Sequence, residues 1–204
     1  MITTIFFDFD GVVTIDPKGS VSFANYIVQK TGIDKTFFLE KYREFGQVLL
    51  TGKKSHLDIW PDLCHNLGLT INPDLIEAAF KATPINQEIV MLMKALKKNN
   101  YQIGLITDNK NDRMSTLITL HQWEDLFDVL AISASVGSRK NDDAIYLYAL
   151  DKANTAPTDA VFIDNTVKNL EIPKKIGYHT LYFDNQKRDV NALITELNQL
   201  KVFS

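Results

Sequence analysis

The chain has 204 residues, 45% of them apolar and 23% charged, with a formal net charge of −3. This suits one good-sized globular domain, or a core domain carrying a smaller insertion, and offers no general attraction to nucleic acid or anionic membrane. The single cysteine, Cys64, excludes an intrachain disulfide, and no apolar run approaches the ~18 residues of a membrane span. The first basic residue is Lys18, so a basic leader region is missing and a cytoplasmic location is expected.

The chain opens with an apolar run, ITTIFF, that ends abruptly in Asp8, Phe9, Asp10 and Gly11. Residues i and i+2 of a strand point the same way, so Asp8 and Asp10 can project together from its end. Two carboxylates that close repel unless a cation sits between them or one keeps a proton. A hard divalent cation held through oxygen, such as Mg²⁺, resolves the repulsion. An Asp-Gly turn closing an ordinary strand is the alternative reading of the same residues.

Residues 17–84 contain no convincing strand. Helical stretches near 20–30, 34–49, 55–66 and 73–81 are separated by Gly32, by Thr51 with Gly52, and by Gly68, and Asn72 with Pro73 is a helix-start signal. The expected division is a core of residues 1–16 and 85–204, with a helical domain of residues 17–84 inserted after the first strand. Helices simply packed on a sheet are the alternative.

Beyond residue 85 strands and helices alternate. Asn86 caps a helix carrying Ile89, Leu92, Met93 and Leu96 on one face and closing in Lys97, Lys98 and Asn99. Residues 102–106, 127–132, 160–163 and 179–183 read as strands, and helices are expected near 142–152 and 189–201. The strands are almost continuously apolar rather than alternating, which favours a parallel sheet covered on both faces. The expected fold is therefore a doubly wound, Rossmann-like α/β core with an inserted all-helical cap.

Reactive residues stand at three strand ends: Asp8 and Asp10, Thr107 and Asp108, and Asp164 and Asn165. Lys140 precedes the helix near 142. In open α/β sheets the ligand crevice lies beyond the carboxyl ends of the strands, where such groups converge although far apart in sequence.

With these residues in view, the chain resembles the haloacid dehalogenase superfamily, in the helical-cap branch with phosphoglycolate phosphatases and β-phosphoglucomutases. Four motifs carry the resemblance in order: FFDFDGVV, GLITDN through Thr107, the lysine of SRKNDDAIY, and VFIDNTVKNLE with an Asn downstream of its acidic strand end. The following IPKKIGYHTLYF is similar to the family's next helix and last strand.

The resemblance implies a phosphoaspartyl mechanism. Asp8 would be the nucleophile, and Asp10 would protonate the leaving oxygen and later activate water. Asp8 and Asp164, with the Asp10 carbonyl, would ligate Mg²⁺. Lys140 and the Thr107 hydroxyl would hold the phosphoryl oxygens, with backbone N–H groups near Gly11 and Asp108. The implied activity is hydrolysis of a small phosphorylated metabolite by a monomer or homodimer. A phosphomutase of the same superfamily uses the same residues. Haloacid dehalogenases proper lack the second aspartate, so Asp10 argues against that branch. From another class stands a degenerate phosphate- or metal-binding protein.

The chain departs from the family pattern at four places. Asn165 stands where many relatives have a second Asp, Asn141 replaces a Pro after the lysine, Asp108 replaces an Asn, and Asp142 with Asp143 adds acidity near Lys140.

Other signals carry less. The stretch GQVLLTGK lacks the spacing and preceding strand of a phosphate-binding loop. His56, His65, His121 and His179 show no metal-ligand spacing. Arg43, Lys53, Lys54, His56 and Trp60 are the cap residues most suited to touch a substrate.

Overall fold

The computed structural model describes residues 1–202. Five strands, β1 (Thr4–Phe7), β2 (Gln102–Thr107), β3 (Val129–Ile132), β4 (Ala160–Asp164) and β5 (His179–Tyr182), form one sheet in the order β3-β2-β1-β4-β5. Every pairing is parallel, with Phe6 of β1 opposite Gly104 of β2 and Phe162 of β4. Successive side chains of a strand leave opposite faces. Ile5 and Phe7 enter one apolar layer and Phe6 the other. Both layers are covered by helices, which is why the strands are apolar throughout.

The first layer is built by α6 (Gln87–Lys98), α7 (Asn111–His121) and α11 (Val190–Gln199); the second mainly by α9 (Ala144–Ala153), with α10 (Glu171–Ile176) against its edge. A short α8 (Ser133–Val136) follows β3. The chain leaves β1 toward β2 on one side and meets β4 on the other, so the strand order reverses beside β1. A crevice forms there, at the carboxyl ends of the strands.

Between β1 and α6 lies an all-helical cap of α1 (Gly19–Thr31), α2 (Lys35–Arg43), α3 (Gly46–Leu50), α4 (His56–Leu67) and α5 (Asp74–Lys81). It has its own apolar centre around Phe23, Ile27, Phe38, Ile59, Leu63 and Phe80. The outgoing and returning segments run side by side: Thr14 and Ile85 form an antiparallel bridge, Ile15 N donates to Pro84 O at 2.9 Å, and Asn86 N donates to Val13 O at 2.9 Å.

Several elements differ from the sequence reading. The helix expected over 34–49 breaks into α2 and α3, because the turn at 44–45 lets Tyr42 and Leu49 both reach the cap core. The strand expected from 127 starts at Val129, since the Asp128 side chain turns back to accept Ile103 N at 2.8 Å. Helix α9 starts at Ala144 rather than 142, with Asp142 Oδ1 accepting Ala144 N at 3.1 Å. Helix α7 was not expected: its buried side consists of Arg113, Met114 and Leu117, an apolar stripe interrupted by a charge.

Candidate active site

The crevice holds a cleft of about 280 Å³ whose walls include Asp8, Asp10, Thr107, Asp108, Lys140 and Asn165. Three strand ends thus converge, from β1, β2 and β4, together with the loop before α9.

At its floor, Lys140 Nζ lies 2.7 Å from Asp8 Oδ1 and 2.7 Å from Asp164 Oδ2, and all three side chains are buried. Burial raises the Asp8 pKa to about 7; Lys140 opposes this and Asp164 adds to it. Burial also works against the Lys140 ammonium, but the charges of Asp8 and Asp164 outweigh it and hold its pKa above the ordinary value. Asp8 Oδ1 further accepts Phe9 N at 2.7 Å, and among the described residues Asp8 Oδ2 accepts no hydrogen bond. Asp164 is fully buried beneath Lys140 rather than on the cleft wall. Its carboxylate accepts Thr166 N at 2.7 Å and Asn169 Nδ2 at 3.0 and 3.2 Å.

The turn after β1 requires Gly11, whose φ is +86° and whose missing Cβ leaves room for the Asn165 side chain and Pro17. Gly11 itself does not line the cleft, and its N–H donates to Thr14 Oγ1 at 3.2 Å. Thr107 is buried at the end of β2, with Asn109 Nδ2 donating to its hydroxyl at 3.4 Å.

The added acidic residues near Lys140 are either paired or exposed. Asp108 Oδ1 accepts Lys140 N at 2.9 Å and its Oδ2 accepts Arg139 Nε at 3.1 Å. The extra carboxylate is thereby paired, and it fastens the loop that carries Lys140. Asp142 and Asp143 are exposed at the start of α9, away from the cleft, where acidic groups complement the helix dipole. Tyr146, on the buried side of α9, lies within donating distance of Lys140 O and Asn169 O, at 3.0 and 2.9 Å, and braces the same loop from below.

The cap residues singled out in the sequence do not line the cleft. Arg43, Lys53 and Lys54 are exposed elsewhere, and Trp60 is buried in the cap with its Nε1 donating to Ile71 O at 2.9 Å. His56 is fully buried. Its Nδ1 lies 2.7 Å from Asp112 Oδ2, and its Nε2 lies 2.7 Å from the Tyr42 hydroxyl. Burial lowers its pKa despite the Asp112 carboxylate, so the ring is neutral, with Nδ1–H donating to Asp112. The cap reaches the cleft instead through Gly19, Ser20 and Leu50, next to the connecting residues Pro17 and Lys18.

Two cationic residues escaped the sequence reading. Arg113 grips Asp10 in a two-point pair, Nη2 to Oδ1 at 2.8 Å and Nη1 to Oδ2 at 3.0 Å. Lys110 also lines the cleft, is nine-tenths buried, and has no hydrogen-bond or ion-pair partner for Nζ among the described residues. Burial, with the nearby Arg113 charge, lowers its pKa to about 8. The available signal for Arg113 was its place on the apolar stripe of a helical segment, four residues before Leu117.

The atoms that Asp8, Asp164 and the Asp10 carbonyl would offer a cation are all oxygens. Among the described residues no three His, Cys, Asp or Glu side chains stand together as a metal cluster. Two buried carboxylates beside one lysine leave a net negative charge, which a hard cation with few protein ligands and several waters would offset. That donor set fits Mg²⁺.

Known proteins supply the frame for this geometry. The model of the haloacid dehalogenase-like hydrolase family matches residues 5–183, and the chain belongs to that family. It is 27% identical to a glyceraldehyde 3-phosphate phosphatase of Pyrococcus furiosus, over 98% of this chain and 91% of that protein. It is 26% identical to bifunctional epoxide hydrolase 2 of Rattus norvegicus over 62% of this chain, but spans only 23% of that protein's length. A family enzyme from Bacteroides thetaiotaomicron shares the fold with a TM-score of 0.75 at 17% identity, covering 94% of this chain and 98% of that one. The same enzyme, wild type, has been solved with magnesium and inorganic phosphate; that structure has a TM-score of 0.70, also at 17% identity, over 89% of this chain and 94% of that one. No helix among the described residues is long and apolar enough to cross a membrane.

Proposed function

We propose that this chain is a Mg²⁺-dependent phosphatase of small phosphorylated metabolites that works through a phosphoaspartyl intermediate on Asp8. The observation that carries this reading is the buried Asp8–Lys140–Asp164 cluster under a cleft with Asp10 on its wall. The phosphatase among its relatives and the family enzyme solved with magnesium and phosphate support it.

Asp8 attacks phosphorus through Oδ2, a role supported by the engagement of its other oxygen with Phe9 N and Lys140. As the Asp8–P bond forms, the ester P–O bond breaks and the leaving oxygen takes a proton from Asp10. Water then attacks phosphorus, its proton goes to Asp10, and the Asp8–P bond breaks to release inorganic phosphate. Lys140 and the Thr107 hydroxyl hold phosphoryl oxygens, and the Asp108 backbone N–H serves as a further donor. Asp8, Asp164 and the Asp10 carbonyl would hold Mg²⁺, which when bound offsets the repulsion between anionic nucleophile and anionic phosphate. Asn165 supplies a neutral oxygen at the rim in place of a second carboxylate. The cap covers the cleft and restricts it to small substrates.

Phosphate release from an aryl phosphate and a panel of sugar, nucleotide and short-chain acid phosphates tests this, with and without Mg²⁺. Metal-dependent turnover that drops at least about a thousandfold in Asp8→Asn is the expected result for loss of a covalent nucleophile. Turnover that survives Asp8→Asn overturns the mechanism. Turnover of no panel member by folded, metal-saturated protein overturns the activity.

A further inference from the structure

Asp10 is held from the core side by the guanidinium of Arg113. Arg113 is 1% exposed, donates to both Asp10 oxygens and to Asn109 Oδ1 at 3.0 Å, and stacks its guanidinium 5.5 Å from the centre of the Phe9 ring. Among the described residues its buried Nε has no hydrogen-bond partner. Asn109 Nδ2 adds a second bond to Asp10 Oδ2 at 3.0 Å. The remaining neighbour, the Thr14 hydroxyl, has one proton to share between Asp16 O at 3.0 Å and Asp10 Oδ1 at 3.3 Å. One lone pair of Oδ1 is therefore the part of the carboxylate left for chemistry in the cleft. A two-point guanidinium–carboxylate pair fixes the plane of the acid as well as its distance, which a lysine does not.

The adjoining residue reaches the other way. Asp112 Oδ2 accepts both the backbone N–H of His56, at 2.8 Å, and its Nδ1–H, at 2.7 Å. His56 opens α4 of the cap and is braced behind by Tyr42 of α2. One turn of α7 thus ties Asp10 to the cap through two consecutive side chains.

We propose that Arg113 is the positioning residue of Asp10, and that the cap sets its aim by gripping Asp112 through His56. This rests on the reading of Asp10 as the proton donor to the leaving group. A seated cap keeps the first turn of α7 in place, and with it the free lone pair of Asp10 aimed into the cleft. A displaced cap releases both.

Leaving-group selectivity tests the proposal, because an aryl phosphate with an acidic phenol departs without a proton and an alkyl phosphate does not. The ratio of kcat/KM for the best alkyl substrate to that for p-nitrophenyl phosphate is measured in the wild type, Asp10→Asn, Arg113→Met, Arg113→Lys and Asp112→Ala, each checked for folding by circular dichroism. A lost general acid is worth about 10²–10⁴-fold, so Asp10→Asn should depress the alkyl rate by that order and the aryl rate far less. Arg113→Met is expected to lower the ratio about tenfold or more, Arg113→Lys to restore part of it, and Asp112→Ala to lower it several-fold.

Parallel losses on both substrates in Arg113→Met and Arg113→Lys mark a structural ion pair and overturn the positioning role. A wild-type ratio in Asp112→Ala overturns the cap linkage. If Asp10→Asn is itself unselective, the role of Asp10 as proton donor fails and this proposal with it. Survival of activity in Asp8→Asn instead locates the failure in the underlying phosphatase mechanism. Should Arg113→Met not fold, Arg113→Lys, which keeps the charge but not the two-point geometry, decides alone.

Discussion

Lys110 is the buried cleft-lining cation whose ammonium has no carboxylate within bonding distance among the described residues. Lys140 has two, and Arg139 is spent on Asp108. Its pKa lies below the ordinary lysine value, at about 8, because burial disfavours the charged form. The ammonium is therefore present at pH 7 and is lost as pH rises through about 8. A phosphorylated substrate that enters beside it should bind more weakly at pH 9 than at pH 7. We expect KM to rise several-fold over that range in the wild type, and to be already high and nearly flat in Lys110→Met. Steady-state kinetics from pH 6.5 to 9.5 on both proteins check this; identical KM profiles would remove Lys110 from substrate binding. At this scale the acidic strand end at Asp8 and Asp10 is legible because aspartates closing an apolar run are out of place in a core. Lys110 and Arg113 are not, because a basic residue near a helix start looks like a solvated charge until the fold buries it.

Helix α1 shows how tightly one element is fitted to the site. Gly19 begins it, and a Cβ there would stand 2.5 Å from Arg113 Nη1 and 2.8 Å from Asp10 Oδ2. The guanidinium cannot withdraw, since it is buried between Asp10, Asn109 and the Phe9 ring. Gly19→Ala is expected to cost about 1–3 kcal/mol, the usual range for forcing extra volume into a packed position. The cost should shrink in the Arg113→Met background, since residues that share one contact are not additive. Urea unfolding of the four proteins of that cycle measures it, and strict additivity would show that the clash is relieved elsewhere. Asp108 makes a related point. In the sequence it is an added negative charge beside a phosphate site; in the fold it is paired with Arg139 and with the backbone of Lys140, and it positions the loop. Helix α7 escaped the sequence reading for the same reason as its arginine: a charge on the buried stripe disguises the helical period.

Across the molecule, the two layers on the sheet and the cap have separate apolar centres, joined by two side-by-side connecting segments. Phe23 is the hub of the cap centre, with ring centroids of Tyr42 and His56 at 5.2 Å and of Phe80 at 5.6 Å. Phe23→Ala should cost about 3–5 kcal/mol, the range for deleting a buried aromatic ring. The loss should fall on the cap: amide hydrogen exchange is expected to quicken in α1, α2 and α4 while β1 and β4 keep their protection. Equal acceleration in the sheet would mean that cap and core unfold as one unit.

The division between what the chain declares and what folding adds follows from the range of the forces involved. Strand positions, the doubly wound class, the inserted helices and the acidic strand end rest on local periodicity and on side-chain alternation, which neighbouring residues determine by themselves. Tertiary structure alone decided which polar and charged groups are paired. Arg113 meets Asp10, His56 meets Asp112, and Asp164 meets Lys140 only after the sheet is assembled and the cap is seated. The strength of each pair depends on distance and burial, and neither quantity exists in an unfolded chain.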